Sequence, residues 1–217
     1  MNFYDDADLR FFSNQRKEYI NFIDNFIVEN SNGSRILDIG SGDGIRIKNI
    51  GDRIFGKITV IENNIHMCKK CKDLGIDVFC EDIESFVLPY KFDTITCLWS
   101  VLGYVKNPDA AIKNIAKMLS RDGILFIDIN IRYNLLEYGF WNCLRNLIKN
   151  CFFKGASTNY FSVKGSDCFV YLFSYSELDN IFKKNGLKYK KVYINYKTGK
   201  RTIPFFGQLL YVVKRIK

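Results

Sequence analysis

One stretch, Arg35 to Gly44, constrains the fold more than any other part of the chain. It reads RILDIGSGDG, a short apolar run that carries one acid, Asp38, and then breaks into three glycines at alternate positions. This pattern predicts a buried parallel strand that turns sharply into a helix. Glycine suits such a turn because it accepts positive φ and has no Cβ to hold a ligand away from the backbone. The turn is therefore predicted to bind a nucleotide-like ligand.

The rest of the chain alternates between apolar runs of strand length and segments with helical spacing. Strands are predicted at seven places, namely 35–39, 57–61, 77–80, 92–98, 124–129, 192–196 and 209–216. Strands that alternate with helices, joined by right-handed crossovers, leave few topologies open. We expect an α/β fold, a Rossmann-like doubly wound sheet of seven mostly parallel strands with helices on both faces.

Two segments lie outside this alternation, and we expect both to belong to a single domain over residues 1–217. Residues 1–33 are predicted to form an N-terminal helical lid. Residues 130–172 form an insertion after the fifth strand, and we expect it to select the substrate because loops at the carboxyl ends of strands surround the ligand crevice. Its predicted helix, 135–153, has an apolar stripe beside basic residues. This helix packs on the core as a lid, or it contacts a lipid-like substrate or a membrane surface.

The charge of the chain bears on its partners. Lysine and arginine total 32 against 23 acids, a net charge of +9 that favours acidic partners. The lysines are scattered, so nucleic acid stays open as a partner and is not favoured. The N-terminus lacks the features of a signal peptide, and no apolar run reaches the roughly 18 residues of a transmembrane helix, so we expect a cytoplasmic protein. The seven cysteines are expected to be free thiols, and no metal site is predicted. The oligomeric state is left open.

The spacing of the glycines separates the nucleotide-like ligands. A dinucleotide site needs its third glycine three residues after the second, and that position is Ile45. The glycine-lysine run of a nucleoside triphosphate loop is absent. LDIGSGDG instead resembles the first motif of the class I S-adenosylmethionine-dependent methyltransferases, an apolar strand with an acid followed by G-x-G-x-G. The resemblance is close over Ile36 to Ile129, and its acceptor region is typical of the broad ubiquinone-biosynthesis-like group.

The resemblance implies a cofactor site for S-adenosyl-L-methionine and its product S-adenosyl-L-homocysteine. In this family an acid that ends the second strand binds the ribose hydroxyls, and Glu62 holds that place. The acid after the third strand accepts a hydrogen bond from the adenine amino group, which implies Asp82 with Ile83 against the ring. The first-motif acid orients the cofactor's amino end. The complete implied set is Asp38, Gly40, Ser41, Gly42, Glu62, Asn63, Asp82, Ile83, Leu98 and Trp99.

The acceptor is less defined by the sequence. After the fourth strand the chain lacks the Asn/Asp-Pro-Pro-Tyr motif of enzymes that methylate base or glutamine amines, and it has an apolar wall with Ser100 and Tyr104. We therefore predict in-line methyl transfer to an oxygen or nitrogen of a small molecule, with no dedicated base required. Tyr104 and Arg132 are candidate contacts to the acceptor, with Asn130 beside them. Two alternatives stay open, a wobble-uridine-like tRNA methyltransferase, which residues 10–16 faintly resemble, and a non-catalytic cofactor-binding partner protein.

Overall fold

The computed structural model describes residues 16–152, 160–162 and 169–216. The helices in these ranges are α1 (Lys17–Asn30), α2 (Ile45–Ile54), α3 (Ile65–Asp73), α4 (Pro108–Met118), α5 (Leu135–Phe152) and α6 (Tyr175–Lys184). A 3-10 turn spans Val101–Gly103. The strands are β1 (Arg35–Ile39), β2 (Lys57–Ile61), β3 (Asp77–Phe79), β4 (Phe92–Cys97), β5 (Leu119–Ile129), β6 (Tyr160–Ser162), β7 (Phe169–Tyr171), β8 (Leu187–Ile194) and β9 (Gln208–Arg215).

Seven of these strands form one sheet in the order β3-β2-β1-β4-β5-β9-β8. The pairs from β3 to β5 are parallel, and β9 runs antiparallel to both of its neighbours. The strand order reverses between β1 and β4, and in open α/β sheets ligands bind at the carboxyl ends of the strands beside such a reversal. The expected seven-stranded, mostly parallel Rossmann-like sheet is confirmed.

Two hydrophobic clusters hold helices against opposite faces of this sheet. On one face the buried residues of α4 and α6, among them Ile112 and Phe182, pack on the strands. On the other face α1 and α2 contribute Ile23 and Ile47. The apolar residues of α1 recur at helical spacing, so one side of this helix is buried while the other faces solvent. Helices on both faces leave the carboxyl edge of the sheet open for a ligand.

The strand boundaries differ from the sequence prediction where the sequence is polar. β8 begins at Leu187, five residues before the predicted start, although its first half reads LKYKK. It is an edge strand, and edge strands tolerate lysines because one side is free of a neighbour. β5 begins at Leu119, before the predicted 124, with an irregular register opposite β4. The insertion also contains an antiparallel pair, β6 and β7, that the sequence did not predict.

The two predicted lids are described only in part. Residues 1–15 lie outside the described residues, and the remainder of the first lid is α1, a helix packed in the core. α5 has a non-helical residue at Gly139, followed by exposed Phe140 and Trp141. In the described ranges no helix combines the length and the apolar character needed to cross a bilayer. The division into one domain with lids over 1–33 and 130–172 stays a prediction.

Candidate functional site

A cavity of about 1820 Å³ lies at the carboxyl edge of the sheet, where the strand order reverses. Its walls come from the glycine turn, from the ends of β2, β4 and β5, and from α1. All ten residues of the implied cofactor set line it, from Asp38 at the end of β1 to Trp99 after β4. The structure therefore brings together side chains that are more than fifty residues apart in the sequence.

The glycine turn between β1 and α2 has the backbone that its sequence predicts. Gly40, Gly42 and Gly44 have φ values of 69°, 61° and 79°. A Cβ on Gly40 would lie 2.6 Å from the Cγ2 atom of Val101, and one on Gly44 would lie 2.9 Å from a cysteine sulfur. A Cβ on Gly42 would meet nothing within 4 Å. The backbone at Gly42 thus faces open space, which leaves it accessible to a ligand.

Glu62 at the end of β2 fixes the shape of this turn. Its carboxylate is buried, with 7% of the residue exposed. Oε2 accepts a hydrogen bond from the backbone N–H of Gly42 at 2.9 Å, and Oε1 accepts one from that of Asn64, also at 2.9 Å. An ionised carboxylate offers about four acceptor positions, so about two stay available for ligand hydroxyls. Asp82, in the segment after β3, also lines the cavity, where it is exposed and adjoins buried Ile83.

Asp38 is a buried acid at the end of β1. Its Oδ1 accepts a hydrogen bond of 2.6 Å from the hydroxyl of Thr96 on the neighbouring strand. Burial raises the pKa of Asp38 to about 6, although the hydroxyls of Thr96 and Ser41 act in the opposite direction. A cation bound beside this carboxylate would favour its ionised form. The site therefore suits the positively charged part of a ligand.

The prediction missed a second buried acid, Asp128 on β5, which also lines the cavity. Its Oδ2 accepts from the hydroxyl of Tyr19 on α1 at 3.0 Å, and its Oδ1 accepts from the backbone N–H of Ser100 at 2.9 Å. Burial raises the pKa of Asp128, and the positive charge of Arg46 partly offsets this rise. The sequence signal was available, because an acid inside the apolar run FIDI matches the pattern of Asp38 in ILDI.

The turn that follows β4 is strained. Trp99 and Ser100 have φ values of 60° and 55°, in the left-handed region where residues with side chains are uncommon. Each such residue costs on the order of 1–3 kcal/mol, and strain of this kind concentrates at functional sites. The hydrogen bond from Ser100 to Asp128 holds the turn in place. Beside it, the guanidinium of Arg46 lies 5.7 Å from the centre of the Trp99 ring.

The two candidate acceptor contacts have different surroundings. Tyr104 lines the cavity and is 39% exposed, and Asn130 also lines it. Arg132 is not among the described residues that line the cavity, and its role as an acceptor contact stays a prediction. It is fully buried, where Nε donates to the carbonyl of Leu172 at 3.0 Å and Nη2 donates to Glu177 at 2.7 Å. Arg132 therefore joins the end of β5 to the start of α6.

Comparisons with known proteins agree with this geometry. A family model described as a methyltransferase domain matches residues 11–192, most of the chain. The ubiquinone biosynthesis O-methyltransferase of Coxiella burnetii is 31% identical over 112 residues, which are 49% of this chain and 47% of that protein. The chain is thus aligned with about half the length of this curated relative.

Solved structures extend the similarity of fold to nearly the whole chain. A S-adenosylmethionine-dependent methyltransferase from Clostridium acetobutylicum superposes with a TM-score of 0.66 at 18% identity, covering 93% of this chain and 92% of that one. An amino pentose methyltransferase from Micromonospora echinaspora, solved with S-adenosylmethionine bound, gives 0.61 at 16% identity, with 93% and 92% covered. With the matched family model and the glycine turn backed by Glu62, these findings show that the chain belongs to the class I S-adenosylmethionine-dependent methyltransferases.

Proposed function

We propose that this enzyme transfers the methyl group to an oxygen or nitrogen atom of a small-molecule acceptor by in-line displacement. The observation that carries the proposal is the size and lining of the cavity. Its volume of about 1820 Å³ exceeds the range of roughly 300–1,000 Å³ that is usual for one small ligand. A cavity of this size accommodates the cofactor and a second molecule beside it.

The residues on one side of the cavity fit the cofactor. Glu62 offers free acceptor positions for two adjacent hydroxyls, and Asp82 is an exposed carboxylate for an exocyclic amine. The open space at Gly42 lets the ligand approach the backbone. Near the turn, Asp38 supplies negative charge where the amino end of the methionine would lie. When bound, the cofactor supplies a methyl group that its sulfonium activates.

The residues beyond the turn suit an acceptor of modest size. Aromatic and polar side chains outside the implied cofactor set also line the cavity, namely Tyr19, Tyr104, Tyr171 and Phe173 with Asn130 and Gln208. Apolar walls with a few polar groups are typical of small-molecule sites. The names of the similar proteins agree, since one is an O-methyltransferase of ubiquinone biosynthesis and one acts on an amino pentose. These similarities support a small acceptor and leave its identity open.

In the reaction the chain positions the cofactor and the acceptor and excludes water from the cavity. The strained Trp99–Ser100 turn, held by Asp128, lines the cavity. We assign the hydroxyl of Tyr104 as a hydrogen-bonding contact to the acceptor. Asp128 is a positioning residue, because both of its oxygens are engaged by Tyr19 and Ser100.

Titration of S-adenosylhomocysteine tests the cofactor half. We expect the wild type to bind and Glu62→Gln to bind about 30-fold more weakly, because a hydrogen bond to a charged group contributes roughly 2 kcal/mol and each 1.4 kcal/mol is tenfold. Glu29→Gln, a change at an exposed acid at the end of α1, should leave the affinity unchanged. Equal affinities in all three proteins would contradict the role of Glu62.

Turnover tests the acceptor half. We expect the enzyme to form S-adenosylhomocysteine from S-adenosylmethionine when pooled hydroxylated and amine-bearing metabolites are present. Retention on tRNA that weakens steeply with salt, together with turnover on tRNA alone, would favour the nucleic-acid alternative. Binding of the cofactor without turnover on either pool would favour a non-catalytic protein.

A further inference from the structure

Two cysteine side chains meet beside the end of β3, and the methyl transfer described above uses neither of them. Cys68 lies on the first turn of α3 and is buried, with 2% of the residue exposed, whereas Cys80 directly follows β3 and is exposed. Their Sγ atoms are 2.6 Å apart. The sulfurs of a disulfide lie about 2.0 Å apart, so an approach of roughly 0.6 Å would join the two. The fold therefore holds two free thiols within bonding range of each other.

The surroundings of this pair favour thiol chemistry over metal binding. No group of three or more His, Cys, Asp or Glu side chains suited to a metal ion occurs in the described part of the chain. Cys71, the next cysteine on α3, lies against the glycine turn, with its Sγ 3.4 Å from the carbonyl oxygen of Gly42. Among the cysteines of the described ranges, Cys80 is the one that the structure places against the thiol of Cys68.

The two thiols differ in exposure, which sets the order in which they react. Burial raises the pKa of Cys68 to about 12, and its hydrogen bond with Cys80 adds to the rise. The thiolate is the nucleophile in disulfide exchange, so an oxidant that is itself a small disulfide reacts first at exposed Cys80.

The exchange then runs in two balanced steps. Sγ of Cys80 bonds to one sulfur of the oxidant, and the other sulfur leaves as a thiol. Sγ of Cys68 next bonds to Sγ of Cys80, and the remaining half of the oxidant leaves as a second thiol. The protons of the two cysteines go to the departing thiols, so the protein pair is oxidised while the small disulfide is reduced.

A bond between these sulfurs would act on two acids of the cavity. The thiol of Cys68 donates to the carbonyl oxygen of Glu62 at 3.1 Å, and oxidation would remove this bond from the residue whose carboxylate holds the turn at Gly42. Cys80 would be drawn towards α3, and Asp82, two residues further on, lines the cavity. We propose that a small disulfide oxidant reversibly converts Cys68 and Cys80 into a disulfide, and that this bond weakens binding of the cofactor. The first part is independent of the proposed function, and the second rests on its cofactor site.

Peptide mapping of the full chain tests the bond. Trypsin cleaves after lysine, so Cys68, Cys71 and Cys80 fall in three separate peptides, 58–69, 71–72 and 73–91. Wild type is incubated with glutathione disulfide, its remaining thiols are alkylated with iodoacetamide, and the digest is analysed by mass spectrometry. We expect peptides 58–69 and 73–91 to be joined, and dithiothreitol to separate them. A link from either cysteine to Cys71, or glutathione on Cys80 without a link, would overturn the proposal.

Two further readouts measure what the bond does. A disulfide that closes a loop of about 13 residues should raise the melting temperature by about 6–12 °C, because it restricts the unfolded chain. Oxidation should weaken the binding of S-adenosylhomocysteine by about 3- to 10-fold in calorimetric titration, the loss expected for one hydrogen bond to the ligand. Oxidative damage to the protein would instead lower both the melting temperature and the affinity, and that result would overturn the proposal.

Variants identify the two sulfurs and their order. Cys80→Ser changes an exposed residue and should abolish the link, the rise in melting temperature and the loss of affinity. Cys68→Ser should instead keep glutathione on Cys80, because the thiol needed for the second step is missing. Cys143→Ala is the matched control, since it removes a buried cysteine of α5 and keeps the pair, and it should respond to glutathione disulfide as the wild type does.

The remaining outcomes separate the two parts of the proposal. A loss of affinity on oxidation that persists in Cys80→Ser would assign the effect to another cysteine and overturn both parts. Joined peptides with an unchanged affinity for S-adenosylhomocysteine would overturn the effect on the cofactor. A reduced wild type that binds no S-adenosylhomocysteine would remove the cofactor site itself, which is a separate failure because the joined peptides are detected without any ligand.

Discussion

Asp38→Asn should stabilise the protein at neutral pH, although it removes an acid from the cofactor site. Burial raises the pKa of Asp38 from 3.8 to about 6, and each pKa unit corresponds to about 1.4 kcal/mol. The ionised side chain thus costs the native state about 3 kcal/mol at pH 7.5. Asparagine is neutral and of similar shape, and its oxygen still accepts from the Thr96 hydroxyl. For a chain of this length the melting temperature should rise by about 6–12 °C.

The sign of the pH dependence follows from the raised pKa. Between about pH 4 and pH 6 the native state keeps a proton on Asp38 that the unfolded chain has released. The contribution of Asp38 to stability is therefore fully present below about pH 4 and is lost as the pH rises through 6. The advantage of Asp38→Asn should grow over the same window, from near zero at pH 4 to its full size above pH 7.

Urea denaturation followed by circular dichroism at several pH values measures this advantage. Asp93→Asn is the control, and its effect on stability is expected to have the opposite sign. Burial alone would raise the pKa of Asp93, but its bonds to Arg35 outweigh burial and lower it, so its replacement should destabilise at pH 7.5. A less stable Asp38→Asn at pH 7.5, or an advantage that is the same at pH 4 and pH 7.5, would refute the reasoning.

Further variants test the glycine turn and Arg132, one of the two candidate acceptor contacts. Gly40→Ala should destabilise the protein more than Gly42→Ala. Alanine at either position costs about 1–2 kcal/mol because φ is positive, but only at Gly40 would its Cβ also clash with a neighbouring side chain. Equal unfolding midpoints of the two variants in urea would contradict this expectation. Arg132→Met should lower the free energy of unfolding by about 1.5–3 kcal/mol, because it removes a charged hydrogen bond to Glu177, whose side chain is 30% exposed. It should leave the affinity for S-adenosylhomocysteine within about twofold. A loss of ligand affinity at unchanged stability would return Arg132 to the site.

The sequence predicted the parts of the site that depend on local signals. The glycine turn combines a strand pattern with conformational needs that only glycine meets. Glu62 directly follows β2 and Asp82 lies three residues after the end of β3, and the resemblance to the methyltransferases implied a cofactor role for both acids. The alternation of strands and helices predicted a doubly wound, mostly parallel sheet, because right-handed crossovers leave few topologies.

The parts that were missed depend on long-range contacts. The local pattern of Asp128 was visible in the run FIDI, but its two donors were not, since Tyr19 lies 109 residues earlier and Ser100 lies on another segment. Arg46 reads as an ordinary polar residue of an amphipathic helix until Asp24 and Trp99 are seen beside it. β8 was shortened because its lysines resemble a loop, and only its pairing with β9 identifies it as a strand.

The strained turn after β4 also bears on how such an enzyme can be redesigned. A natural way to change the acceptor is to exchange the segment from Trp99 to Tyr104 for that of another methyltransferase. Here the backbone of Ser100 is anchored on Asp128 of β5, which is itself bonded to α1 through Tyr19. The segment therefore cannot be exchanged independently of Asp128 and Tyr19. A graft that leaves out the acid and its tyrosine should relax to ordinary backbone angles and turn its aromatic side chain away from the cavity.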